Sequence, residues 1–262
     1  VIPTIDTRVF DGSRDPFAVG MIGEGACALP GLANEFEGYL KLRAGVYLRQ
    51  MGMLPPDCLA SDGTERDAED ARSLHFAVFA RAGGGARVVA SMRAIQKSAG
   101  PLGALPVERL FPEAFAEAPA PGSSVELSRL TSRHEDSDVK AWLTWALFGA
   151  ALPYAAERGF PPIFAAIRPS LADRLAADGI QVVRIAEPLL IPDYGGVYVA
   201  VSIHVDQRVR RAVHGLRAAA GEDTKPGHFT YLQAPGSPPS DITEGRATSA
   251  RSSDRTAAST RA

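Results

Sequence analysis

The residues best suited to chemistry in this sequence are charged side chains set where a soluble domain normally places apolar ones. Arg43 and Tyr47 lie in the apolar segment Leu40 to Leu54, which also holds Met53. The acidic run Glu65-Arg66-Asp67-Ala68-Glu69-Asp70 follows. Arg93 ends the strand-like Val88-Val89-Ala90-Ser91-Met92, and Glu126 and Arg129 sit inside Val125-Glu126-Leu127-Ser128-Arg129-Leu130. A charge in a core-like segment is costly to bury unless it is paired. Four such segments with opposite signs point to one shared polar cleft. In such a cleft a carboxylate, Glu126 first, can serve as a general base. The guanidinium forks of Arg93 and Arg129 suit a carboxylate, either that of an acceptor molecule or those of the acidic run, and both roles stay open. Ser128 has no obvious His partner, so a covalent step through its hydroxyl is not expected. Each residue also has a plainer reading. Arg43 and the acidic run would serve as a surface ion-pair network, Arg93 would snorkel from a strand end, and Glu126 would sit on an edge strand.

The elements that must position these residues follow from periodicity. A helix is predicted from Leu32 to Met51, weakened by Gly38 and Gly45 and ended by Pro55-Pro56. A polar loop covers Ser61 to Arg72. The β-rich runs His75–Ala80 and Arg87–Arg93 flank a glycine-rich turn and read as a hairpin. Pro101 to Pro112 reads as a loop with a short helix at Val107 to Leu110, and a strand spans Ser124 to Thr131. On a regular strand Glu126 and Arg129 point to opposite faces, so a bulge between them is expected to bring both to one cleft and to turn a backbone N–H outward. The helix Asp138 to Arg158, with Asp138 as N-cap and Gly159 as its stop, is apolar almost all round. A strand at Ile163–Ile167, a helix at Ser170–Ala177 and strands at Ile180–Ile185 and Val197–Val205 complete an α/β arrangement around a mixed sheet.

Composition sets the outer limits. With 45% hydrophobic and 22% charged residues in 262, one large domain with appendages can build a core. The organisation expected is an irregular arm over residues 1–30, a catalytic domain over 31–206, and a short basic helix followed by a disordered tail over 207–262. A net charge of -2 gives no electrostatic case for nucleic acid. No apolar run reaches membrane-spanning length, and the opening residues have no basic leader. Two cysteines and five scattered histidines offer neither a disulfide framework nor metal-ligand spacing. A cytoplasmic protein with no metal and no bound cofactor is the expectation.

The order and spacing of Arg43-x-x-Val46-Tyr47, Glu65-x-Asp67-x-x-Asp70, Arg93 and Glu126-Leu127-Ser128-Arg129 resemble the acyl-homoserine-lactone synthases over about Leu32 to Val205. They are also similar to the N-acyl amino acid synthases. The resemblance implies a GCN5-related acyltransferase-like three-layer α/β fold, whose splayed mixed sheet grips an acyl-phosphopantetheine arm. It implies Glu126, Arg129 and Arg93 as catalytic residues, with Arg43, Tyr47, Met53, Glu65, Asp67 and Asp70 around the substrates. Tyr47 stands where that family usually has Phe and Met53 where it usually has Trp, and the latter departure bears on lactone formation. His75-Phe76 looks more like the N-acyl amino acid branch. The implied donor is acyl carrier protein or coenzyme A, with acyl carrier protein as partner. The acceptor is S-adenosylmethionine, giving an autoinducer lactone, or a free amino acid. A non-catalytic module that binds acyl carriers is the third reading. Trp142, Trp145 and Phe148 read as core or as the border of an acyl tunnel.

Overall fold

The computed structural model describes residues 17–29, 31–54, 59–82, 85–100, 103–160, 162–204 and 230–232. One mixed sheet organises them. Its strands are β1 (Phe17–Glu24), β2 (Cys27–Ala28), β3 (Ser73–Ala82), β4 (Gly85–Gln96), β5 (Val125–Ser132), β6 (Ile163–Ile167), β7 (Gln181–Arg184), β8 (Leu189–Ile191), β9 (Gly196–His204) and β10 (Thr230–Leu232). The main order is β10-β1-β3-β4-β5-β6-β9-β7, with β2 on β1 and β8 on β9. Every pairing is antiparallel except β5 with β6.

Helices cover both faces. On one face α3 (Ser137–Glu157) and α4 (Pro169–Ala177) pack Leu143, Leu147, Ala151 and Leu175 against Phe76, Val78, Met92, Leu127 and Val199. On the other, α1 (Ala33–Ala44) seats Phe36, Tyr39 and Leu40 on Ala77, Phe79 and Val88. Farther along that face α2 (Pro106–Leu110) closes a third cluster of Ile95, Leu105, Phe111, Phe164 and Tyr198. The strands therefore bury side chains on both faces, which is why His75–Ala80 is almost uniformly apolar.

The polar residues belong to the α1 and α2 face. Met92 and Ala94 of β4 face α3, so alternation sends Arg93 and Ile95 the other way. Arg93 pairs in register with Ser128, and Ile95 with Glu126, so all four share that face. The sheet splays at Glu126: β5 and β6 pair only at Val125↔Ile163 and Glu126↔Phe164, and the strands part beyond.

Several expectations need correction. Phe17–Glu24, assigned to an irregular arm, is a full sheet strand, disguised by Gly20 and Gly23. α1 ends at Ala44 and continues as a wider π-type turn over Gly45–Gln50. β4 runs on to Gln96, so Arg93 lies inside it. Asp136, not Asp138, caps α3, accepting from the Asp138 and Val139 N–H groups. Within the stretch expected to be disordered, Thr230–Leu232 pairs with the edge of β1. The basic helix expected after Asp206 lies outside the described residues.

Candidate active site

The short turn Ala68–Arg72 carries the acidic run onto the sheet. A reciprocal capping box starts it: Asp67 Oδ1 accepts from the Glu69 N–H (3.0 Å) and Asp70 Oδ2 accepts from the Asp67 N–H (3.0 Å). This presents Glu65, Asp67 and Asp70 to three arginines from three elements. Arg43 of α1 donates to Glu65 and, through Nη1, to Asp70 Oδ1 at 2.7 Å. Arg93 of β4 donates to Asp67, to Asp70 Oδ1 at 2.7 Å, and through Nε to Ser128 Oγ at 3.2 Å. Arg129 of β5 donates from Nη2 to Glu65 Oε1 (3.1 Å) and Asp67 Oδ2 (3.0 Å). Three guanidiniums thus meet three carboxylates, and their formal charges cancel.

Arg129 reaches this cluster through its backbone. The β4–β5 register slips so that Arg129 and Leu130 stand opposite Met92 alone, and Arg129 has φ of 54°. The bulge therefore exists, but at Arg129–Leu130 rather than between Glu126 and Arg129. Tyr47 braces it: its hydroxyl donates to the Leu130 carbonyl (3.1 Å), and the Arg129 guanidinium lies 5.2 Å from its ring centre. Burial pushes the Tyr47 phenol up to about 12, so it stays a donor at ordinary pH. Met53 packs against the α2-side cluster.

Burial separates the members of the cluster. Arg43, Glu65, Asp70 and Arg93 are buried, which removes the surface ion-pair and snorkelling readings of Arg43 and Arg93. Burial alone would raise the Asp70 carboxyl, but the Arg43 and Arg93 guanidiniums hold it well below the usual carboxylate range. Asp67 is likewise lowered against its burial by Arg93 and then Arg129. Only the Asp67 and Arg129 side chains reach solvent, at 28% and 15% exposure. All three arginines are already bonded to the acidic segment, so their first role is to hold it on the sheet.

Glu126 stands apart from this network. It is buried at the fork, and its Oε2 accepts from the Val107 N–H in the first turn of α2 at 2.7 Å. Desolvation pushes its carboxyl up to about 8, with the Val107 N–H, Arg93 and Arg109 opposing. Sequence reasoning also missed a second layer. His75 Nε2 bonds the Gly25 carbonyl (2.7 Å), so that nitrogen carries the proton, and Nδ1 accepts from the Tyr39 hydroxyl (3.1 Å). Burial holds this imidazole down at about 4. The sequence singled out His75 with Phe76 only through the resemblance; its bond to Tyr39, 36 residues away, is visible only in the fold. Among the described residues no group of His, Cys, Asp and Glu is arranged to hold a metal ion, and no helix is long and apolar enough to cross a membrane.

A sheet that forks between one parallel strand pair, with helices on both faces, defines the GCN5-related acyltransferase fold. Solved structures that share it are those of BjaI, a CoA-dependent acyl-homoserine lactone synthase with SAM and isopentyl-CoA (TM-score 0.57, 17% identity, 76% of this chain and 88% of that one), and of the AHL synthase LasI (0.54, 19%, 78% and 96%). FeeM, an N-acyl amino acid synthase from uncultured soil microbes, is similar at TM-score 0.51 and 16% identity, over 75% of this chain and 94% of its own. The sequence matches no family model and no curated protein.

Proposed function

We propose that this protein is an N-acyltransferase that moves a fatty acyl group from an acyl-phosphopantetheine thioester to the amine of an acceptor with an α-amino acid head group. The observation that carries this reading is the position of Glu126. A buried carboxyl of raised proton affinity sits where β5 and β6 part, on the strand that also carries Arg129, whose pair with Asp67 reaches solvent. The fork admits the thin pantetheine arm between two strands whose backbone groups are no longer paired to each other. At the rim Asp67 and Arg129 present a carboxylate next to a guanidinium, the complement of an acceptor's ammonium and carboxylate.

Glu126 accepts the ammonium proton, directly or through water, and the freed amine attacks the thioester carbon. The C–N bond forms, the oxygen gains negative charge and is met by backbone N–H groups beside the bulge, and the C–S bond breaks to release the thiol. Because only ionised Glu126 is a base, turnover is expected to climb as pH rises through about 8. S-adenosylmethionine is the favoured acceptor. Its carboxylate then closes the ring, and methylthioadenosine leaves with the lactone as the other product. A free amino acid is the second acceptor, since the Asp67–Arg129 pair reads only what the two share and FeeM has the same fold. The acyl donor is carried by acyl carrier protein or by coenzyme A, and the setting is cytoplasmic.

The test is thiol release from acyl carrier protein or acyl-coenzyme A thioesters with each acceptor, for wild type and E126Q. Acceptor-dependent release by wild type and its loss in folded E126Q are expected. No release with any amine overturns the enzymatic reading in favour of an acyl-carrier-binding module. Labelled methionine fed to an expressing host separates the acceptors, because only the lactone carries the label.

A further inference from the structure

Among the described residues, the arginine that ties the most backbone carbonyls together is not in the charged cluster. Arg72 ends the acidic turn, and its guanidinium makes five hydrogen bonds. Nε and Nη2 both donate to Glu69 Oε2, Nη1 donates to the carbonyls of Gln96 (3.0 Å) and Gly103 (2.6 Å), and Nη2 donates to that of Ala104 (2.7 Å). Arg109 of α2 seconds this, bonding Glu69 Oε1 and the Ala104 carbonyl, each at 2.6 Å. Gly103 sits close against Ser98: the Ser98 N–H donates to the Gly103 carbonyl, and a Cβ on Gly103 would lie 1.9 Å from Ser98 O. Three residues beyond Ala104 is Val107, whose N–H is the one donor to Glu126 among the described residues.

We propose that Arg72, anchored by Glu69, is a positioning residue for the reaction: it ties Gly103 and Ala104 to Gln96 at the end of β4 and so aims the first turn of α2, with its Val107 N–H, at the Glu126 carboxylate. The proposal rests on the reading of Glu126 as the base only for its effect on rate. Its structural content is separate. The charged groups facing Glu126 are Arg93 from β4, Arg109 from α2 and Glu69 from the acidic turn. Arg72 acts through the placement of α2. Releasing this tie weakens a hydrogen bond that favours ionised Glu126, so its proton affinity rises. Lysine at 72 keeps the charge but cannot supply the planar fork that spans Glu69 and three carbonyls.

The experiment is a carboxyl-carbon NMR titration of the full-length protein labelled at glutamate, in wild type, R72K and R72M, with E126Q assigning the signal. The same proteins give pH–rate profiles of acyl transfer. The Glu126 midpoint is expected to move up by about one pH unit in both variants, the scale of one hydrogen bond to a charged group. The rising limb of the rate profile is expected to move with it. An unmoved midpoint in a folded R72K or R72M overturns the positioning role. If R72M does not fold, R72K alone decides. A midpoint that moves while the rate profile stays supports the positioning role and overturns Glu126 as the base.

Discussion

Two aspartates three residues apart illustrate how burial divides labour inside one motif. Asp70 is buried and shared by Arg43 and Arg93. D70N leaves those guanidiniums with one carboxylate too few in a site that water does not reach. It is expected to cost about 3–5 kcal/mol, as removal of one partner from a buried ion pair does. Asp67 bonds Arg93 and Arg129 from the rim. D67N is expected to lose less stability than D70N and to raise the acceptor KM more. Denaturant midpoints and steady-state kinetics on the two variants decide it, and equal stability losses would contradict the division. The identities of both carboxylates were plain in the sequence, while their pairing with Arg93 and Arg129 was one of two roles left open for those arginines. Which of them reached solvent was not, because that depends on the path of the Ala68–Arg72 turn across the sheet.

Among the elements, the decisive one is the bulge in β5. A strand of regular alternation would send Arg129 toward α3. The extra residue at Arg129–Leu130 returns it to the face of Arg93 and Glu126. The π-type turn after α1 supplies the brace, since Tyr47 lies within it and its hydroxyl crosses to the Leu130 carbonyl. Y47F keeps the ring beneath Arg129 and removes that bond. It is expected to cost about 1 kcal/mol in unfolding free energy and to raise the acceptor KM through a less settled Arg129; parent values on both measures would remove Tyr47 from the site. The need for a bulge could be read from the parity of two charged positions on one strand. Its location could not, because it depends on how β4 and Tyr47 meet β5. The hairpin, β6 and α4 were legible because their periodicity and glycine stops were undisturbed. β1 was not, since Gly20 and Gly23 interrupt its alternation, and neither was the clamp of Arg72, three of whose five hydrogen bonds go to backbone carbonyls without side-chain identity.

The molecule as a whole is one sheet with two different margins. On one side β10 pairs with β1 through Phe17↔Leu232, Ala18↔Tyr231 and Val19↔Thr230, covering an edge that would otherwise offer unpaired backbone groups to another chain. Deleting the residues after Asp206 is expected to leave the fold and the charged cluster intact while promoting self-association. Circular dichroism and sedimentation at several concentrations test this, and an unchanged sedimentation profile would show that the edge needs no cover. At the centre the balanced ionic cluster has a bearing on how such a protein changes over generations. Inside it, a one-sided substitution strands a charge, so neutral drift there must proceed by coordinated exchanges. New acceptor preferences are more readily reached at the rim and along the apolar wall near Met53, where a lineage can vary size and shape one residue at a time.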